Sequence, residues 1–248
     1  LREPYDRGAR SRALTARALD WIVERQISRI VDLGAGTGST FRFLAPKLTS
    51  SIPWTLVDID AENLARIEAL NHTVDTRVID LSRELPECDP RTLLTASAFL
   101  DLVSPEWIER FSSHVLHCGC ALYVTLTVDG RHTLTPEDPD DAWIFEYFRR
   151  HQTETDKGFG IAAGPDAHAL LVRALTALGF AVEEARSDWM LDAREILVEL
   201  TRGIADAAGA IGEAARAKAW ASRRAAQAWN RKLRMEVGHR DLFASPPR

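Results

Sequence analysis

The stretch "VDLGAGTGST", residues 31–40, sets Gly34, Gly36 and Gly38 directly after an apolar run. Glycine inside regular structure costs roughly 0.5–1 kcal/mol relative to Ala. A cluster of this kind therefore marks a backbone that bends sharply or lets another group approach it closely. Placed between a strand and a helix, such a turn offers free backbone N–H groups and the positive end of the helix dipole to a ligand. A dinucleotide fingerprint needs G-x-G-x-x-G. Here the third glycine comes one residue early and Ser39 occupies the position that fingerprint reserves for glycine. The spacing departs from a pyrophosphate cradle. Three carboxylates keep company with the turn: Asp32 within it, Asp58 in "LVDID" and Asp80 in "VIDL". Each taken singly is an ordinary strand-end or cap residue. In register with the glycine turn they gather at the carboxyl ends of successive strands, where ligands of open α/β sheets collect.

The elements that must position these groups alternate. Residues 29–33, 54–59, 76–81, 92–97 and 121–128 are short, apolar and rich in β-branched residues or Leu, as strands buried on both faces are. Helices are expected over 38–48, 61–70 and 105–117, with Asp60 and Ser104 as N-caps and Pro105 in a first turn. Strand–helix alternation predicts a parallel sheet with right-handed crossovers. Farther on, 137–151 and 166–178 read as helices, 180–191 as a strand, 194–229 as a long helical region and 233–245 as a last strand. Trp220 and Trp229, nine positions apart, fall on opposite sides of an ideal helix, so both cannot face one core. The chain divides into an N-terminal helical cap (1–28), an α/β core (29–128), substrate-side loops and helices (129–179), and completing strands with a helical insertion (180–248), all within one domain.

The run "VDLGAGTGS", followed in order by "LVDID", "VIDL" and "TASAFLDLV" over roughly residues 29–128, resembles the class I S-adenosylmethionine-dependent methyltransferases. The resemblance implies a Rossmann-like α/β fold with a seven-stranded sheet, its last strand antiparallel, helices on both faces, and here an extra C-terminal helical insertion. It implies S-adenosylmethionine as cofactor. Gly34, Ala35 and Gly36, in the turn that Gly38 completes, would lie beside the methionine portion, and Asp32 would steady the loop or meet the amino group. Asp58 would accept from the ribose hydroxyls and Ile59 would pack on adenine. Asp80 and Leu81 would hold the adenine amine and ring, and Ser97 and Ala98 would border the methyl group.

The acceptor is less legible. An Asn/Asp-Pro-Pro-aromatic stretch, common in enzymes that methylate base amines, is replaced by "ASAFLDLV". Acceptor contacts are expected from the N-terminal segment and from 129–165. Tyr5, with Arg10 or Arg12, could meet the cofactor carboxylate, or the segment could be an amphipathic helix with solvated arginines. Lys157 could bind an acidic substrate and Phe159 wall the pocket, or both could belong to a plain surface loop. Asp101, His132 and His151 are the candidates for proton transfer, and His239 and Trp189 are candidate substrate contacts. The activity expected is methyl transfer to an oxygen or nitrogen of a small acidic or aromatic molecule. Two rivals remain: aminocarboxypropyl transfer or cyclisation of the same cofactor, and a non-catalytic cofactor-binding module with a basic docking surface.

The chain has 248 residues, 46% hydrophobic and 27% charged, with a formal net charge of −5, which disfavours a general nucleic-acid binder. Residues 202–240 nevertheless carry nine Lys/Arg against three acids, read as a solvated helix face or a docking surface. No run approaches the ~20 apolar residues of a membrane span, and the first residues are too charged for a signal peptide. Three cysteines, Cys88, Cys118 and Cys120, form neither an even disulfide framework nor a CxxC pair, so packed thiols in a reducing cytoplasm are expected. No metal-ligand spacing is evident. A monomer or homodimer is expected.

Overall fold

The computed structural model describes residues 1–68, 70 and 72–247. Two helices, α1 (Glu3–Ala9) and α2 (Arg12–Glu24), precede β1 (Arg29–Leu33), α3 (Ser39–Leu44), β2 (Trp54–Asp58), α4 (Ala61–Leu64) and β3 (Val74–Val78). Next come β4 (Thr92–Ser97), α5 (Pro105–Cys118) and β5 (Ala121–Thr135). The remainder is α6 (Asp141–Glu154), α7 (Ala167–Ala177), β6 (Ala181–Arg186), β7 (Trp189–Leu191), α8 (Arg194–Ile211), α9 (Ala214–Trp229) and β8 (Arg234–Ser245).

The sheet runs β3-β2-β1-β4-β5-β8-β6, with β7 as an eighth segment paired to β8. The pairs β1–β2, β1–β4, β2–β3 and β4–β5 are parallel, while β8 is antiparallel to β5, β6 and β7. The expected antiparallel last strand is therefore present, with one more segment than the seven anticipated. Alternate side chains of the central strands feed two cores. Val31, Leu33, Leu94, Ala96, Leu122, Val124 and Leu242 join α5 and α7 on one face. Ile30, Leu93, Tyr123 and Phe243 join α2 and α3 on the other.

Strand β5 outruns its expected end at 128. Two irregularities in its pairing with β8, between Val124 and Thr127 and between Val128 and His132, carry it past the rest of the sheet. Leu126 (φ 56) and Gly130 (φ 82) adopt the left-handed conformation these bulges need. This extension, with β7 and the first half of β8, forms a third core under α6, α8 and α9. The strand expected over 180–191 is two, broken at Ser187 and Asp188. The helical region 194–229 is a hairpin that turns at Gly212, where a Cβ would come within 2.7 Å of the Tyr147 ring on α6. Trp220 is fully buried and Trp229 is 61% exposed, as their spacing requires. The helix expected over 61–70 ends at Leu64, and its residue 69 lies outside the described residues. Strand β3 lies two residues earlier than expected, so Asp80 and Leu81 fall in the turn after it.

Much of the basic segment is tied inward. Arg223 bonds Asp138 at 2.7 Å and Asp140 at 2.6 Å, Arg216 bonds Asp140 at 2.7 Å, and the buried Arg224 bonds Asp141. Trp220 Nε1 donates to Asp141 at 2.7 Å. Arg234 and Arg240 pair with Asp192 and Asp129. The contacts of Arg216, Trp220, Arg223 and Arg224 dock α9 on the start of α6. The hydrogen bonds from Arg223 lower the Asp138 carboxyl to about 2. A carboxylate depressed by folding contributes stability that is complete above its ordinary range and lost as pH falls through the folded value. Urea denaturation should therefore show stability falling between about pH 4 and pH 2, and Asp138→Asn should flatten that limb. An unchanged acid limb in the variant would contradict the assignment.

Candidate functional site

The glycine turn begins where β1 ends. Gly34, Gly36 and Gly38 all have positive φ, at 62°, 53° and 84°. A Cβ at Gly34 would stand 2.5 Å from Phe99 Cδ2, whereas one at Gly36 would meet nothing within 4 Å. Gly34 thus answers to close approach and Gly36 to backbone conformation. Ala35, 7% exposed, lies inside the turn, and its carbonyl accepts Gly38 N–H at 2.8 Å. Asp58 fastens the turn to β2: its Oδ2 accepts Gly36 N–H at 2.7 Å, and its Oδ1 accepts Asp60 N–H at 2.9 Å. A carboxylate has roughly four acceptor positions, so two remain for a ligand.

A cavity of 390 Å³ opens at the carboxyl ends of the parallel strands. Gly34, Asp58, Ile59, Asp80, Leu81 and Ala98 line it. Ile59, 67% exposed, presents an apolar face. Asp80 accepts from Ser82 N–H at 3.0 Å and Ser82 Oγ at 2.6 Å, and the hydroxyl contact holds its carboxyl below the usual range. Leu81 is buried, and its carbonyl accepts Trp107 Nε1–H at 2.7 Å, which pins this wall to α5.

Lys157 and Phe159 border this same cavity. Phe159 meets Phe99 and Trp107 edge-on at 5.5 and 5.9 Å. The loop curls because Asp156 Oδ1 accepts the N–H groups of Gly158 and Gly160 at 2.7 and 3.0 Å. The two residues offered as substrate contacts or as a plain surface loop thus wall the cavity shared by Asp58, Ile59 and Asp80.

Beneath the turn lies a pair of unmatched charges. Asp32 is 1% exposed; its Oδ1 accepts from Thr95 Oγ1 at 2.6 Å, while Oδ2 has no partner among the described residues. Burial raises its carboxyl to about 7. Arg10 is 3% exposed and meets only hydroxyls: Ser97 Oγ at 3.0 Å, Ser39 Oγ at 3.4 Å and Thr125 Oγ1 at 3.4 Å. Its guanidinium lies over the Phe43 ring at 4.6 Å. No carboxylate within ion-pair distance answers it among the described residues. Asp6, Asp32 and Asp241 act on it only from beyond ion-pair distance. A buried guanidinium hydrogen-bonded to hydroxyls alone favours an anion, as a buried carboxylate with a free oxygen favours a cation.

Arg12, the expected partner of a ligand carboxylate, is exposed in the first turn of α2, because Ser11 caps that helix and turns the chain there. Arg10 takes the inward place. Tyr5 belongs to the third core, and its hydroxyl accepts Ala193 N–H at 3.3 Å; it joins α1 to the start of α8 and not to the turn. The Ser-x-x-Leu cap after Arg10 was the signal that could have separated Arg10 from Arg12.

The proton-transfer candidates separate too. Asp101, in the turn after β4, has a buried Oδ1 with no hydrogen-bond partner among the described residues and a carboxyl raised by burial to about 6, with Arg2 the nearby positive charge. His132 stacks on Phe145 at 5.0 Å and its Nδ1 faces Gly130 O at 3.1 Å; burial favours its neutral form. His151 lies in the last turn of α6, outside the cavity lining. His239 is 2% exposed and packs on Trp189 at 4.7 Å, with Nδ1 bonded to Val237 O at 2.9 Å and burial lowering it to about 4. Trp189 is buried, with Arg2 over its ring at 5.9 Å. His132 and His239 pack on aromatic residues of the third core, and Asp101 lies in sequence between Phe99 and Leu102 of the cavity wall without lining the cavity itself. Phe99, Leu102 and Ile79, also in that wall, carried no sequence signal beyond apolarity.

The cysteines depart from expectation. Cys120 is a buried thiol raised to about 12, but Cys88 and Cys118 form a disulfide with a Cα–Cα distance of 5.5 Å. His114 adjoins both sulfurs, so three groups able to bind a metal converge where sequence spacing showed none.

No protein-family model and no curated protein matches the chain. Solved structures match it in fold. A candidate methyltransferase of Bacillus halodurans superposes with a TM-score of 0.56 at 15% identity, covering 95% of this chain and all of that one (100%). The YcgJ protein of Bacillus subtilis gives 0.53 at 12% identity, covering 94% and 99%. The cyclopropane synthase MmaA2 of Mycobacterium tuberculosis gives 0.50 at 11% identity, covering 94% and 83%. The fold is that of the class I methyltransferases. No helix among the described residues is long and apolar enough to cross a membrane.

If close approach fixes the turn, Gly34→Ala should lower stability by roughly 1–3 kcal/mol through φ strain and displacement of Phe99. Urea denaturation measures it; wild-type stability would show that the turn has no such constraint.

Proposed function

We propose that the protein is an S-adenosylmethionine-dependent methyltransferase acting on an oxygen or nitrogen of a small molecule. The observation that carries this reading is the pair Arg10 and Asp32. One buried charge lacks an anion and the other has a free oxygen, both beneath a left-handed glycine turn. An amino-acid zwitterion satisfies both. Asp58 has acceptor capacity for a diol, and Ile59, Ile79, Leu81 and Phe159 give a planar base an apolar slot. These residues fit an adenosyl amino acid, and the absence of a pyrophosphate cradle fits it better than a dinucleotide.

When bound, the cofactor supplies a methyl group on a sulfonium, which an acceptor displaces in line. The chain's part is chiefly alignment. Asp101 Oδ1, buried and free, is suited to accept the proton the acceptor sheds. Arg2, the positive charge near Asp101, suits an acceptor that is acidic.

Calorimetric titration with S-adenosylhomocysteine tests the site. Asp58→Ala should weaken binding by roughly 1–3 kcal/mol, the order expected for an acceptor lost to two donors. Arg10→Met should leave the unliganded protein about as stable as wild type while lowering affinity at least about tenfold, since a buried charge is removed with its ligand partner. Unchanged affinity in both would overturn the proposal. Turnover should yield S-adenosylhomocysteine; methylthioadenosine would indicate aminocarboxypropyl transfer instead. Because Asp101 must be ionised to take a proton, kcat/KM should rise through about pH 6, and Asp101→Asn should lose that limb. A limb that survives the substitution would move the base elsewhere.

A further inference from the structure

At the opposite end of the sheet from the cavity, Cys88 precedes β4 and Cys118 closes α5. Their disulfide joins the β3–β4 loop to the helix. His114 stands one helical turn before Cys118, so both project from one face of α5. Its Nε2 lies 3.3 Å from Cys88 Sγ and 3.6 Å from Cys118 Sγ. The three candidate ligand atoms lie within 4.8 Å of one another. Tetrahedral Zn²⁺, with Zn–S near 2.3 Å and Zn–N near 2.0 Å, requires S···N edges of about 3.5 Å. Both nitrogen–sulfur edges already have that length. Once the S–S bond is opened, only the two sulfurs must separate, to about 3.8 Å.

We propose that Cys88, His114 and Cys118 form a redox-gated Zn²⁺ site, closed as the disulfide and competent for metal when reduced. An external dithiol supplies two electrons and two protons: the Cys88–Cys118 bond breaks, two thiols form, and the dithiol leaves as its own disulfide. Zn²⁺ then displaces a proton from each thiol. His114 binds through Nε2 with its proton on Nδ1, giving up the 3.0 Å contact of Nε2 with the Pro86 carbonyl. Three protein ligands leave the fourth position to water. Cys88 and His114 are half-buried, which gives reductant and metal access, whereas Cys118 is 8% exposed. The site binds the β3–β4 loop to α5 near one end, as the Trp107 bond to Leu81 does near the other. It is independent of the methyltransferase reading.

The test uses the full chain, reduced with a phosphine under anaerobic conditions and titrated with Co²⁺ and then Zn²⁺. The expected result is one equivalent of Co²⁺ with thiolate-to-cobalt charge transfer and tetrahedral visible bands, displaced by Zn²⁺ and absent from the oxidised protein. Cys88→Ser and His114→Ala should each weaken binding at least about tenfold. As a measurement that needs no variant, Zn²⁺ should protect Cys88 and Cys118 of the reduced wild type from alkylation. Absence of charge transfer in reduced wild type, undiminished binding in Cys88→Ser, or alkylation of both thiols unaffected by Zn²⁺ would each overturn the proposal.

Discussion

A guanidinium that is 3% exposed and hydrogen-bonds only to hydroxyl oxygens is the constraint around which this molecule is arranged. Arg10 cannot reach water easily and has no carboxylate at ion-pair distance among the described residues. Burying a charge is costly unless it is paired. The fold nevertheless holds it there, beside Asp32, whose free oxygen poses the opposite demand. A buried cation without an ion-pair partner and a buried carboxyl with a free oxygen together describe the ligand more closely than either does alone.

Holding Arg10 in place takes contacts far apart in sequence. Asp241 on β8 is fully buried and accepts two backbone N–H groups, Ser11 at 2.7 Å and Leu126 at 2.8 Å. The first fixes the residue after Arg10 and the start of α2. The second fixes the bulge immediately after Thr125, itself an Arg10 contact. Glu3 and Arg42 join α1 to α3 at 2.9 Å, so the N-terminal segment is fastened on both sides of the turn. The bulge also sends β5 beyond the parallel sheet, where α6, α8 and α9 cover it. One irregularity thus serves both the charge socket and the helical platform.

The central strands were legible because a parallel strand buried on both faces leaves a short, mostly apolar run, as in β1 and β4. The glycine turn and Asp58 were legible because their types are demanded by geometry at a strand end. What escaped depends on contacts that local pattern does not encode. The extension of β5 rests on Leu126 in a left-handed conformation that no residue type announces. Arg10 and Arg12 look alike in composition, and the cap at Ser11 decides which turns inward. Lys157 and Phe159 could be read as pocket residues or as a plain surface loop, because a loop's chemistry does not say what it folds against. Cys88 meets its partners across 30 residues of chain, and odd cysteine counts hide such a pair.

The central claim, that buried opposite charges select an amino-acid zwitterion attached to a nucleoside, is tested most directly by comparing two ligands in one calorimeter. S-adenosylhomocysteine carries the zwitterion and methylthioadenosine lacks it, while both keep the nucleoside. The account predicts that S-adenosylhomocysteine binds at least about a hundredfold tighter, roughly 3 kcal/mol, as expected for two buried charge-assisted contacts. Equal affinity for the two would contradict it.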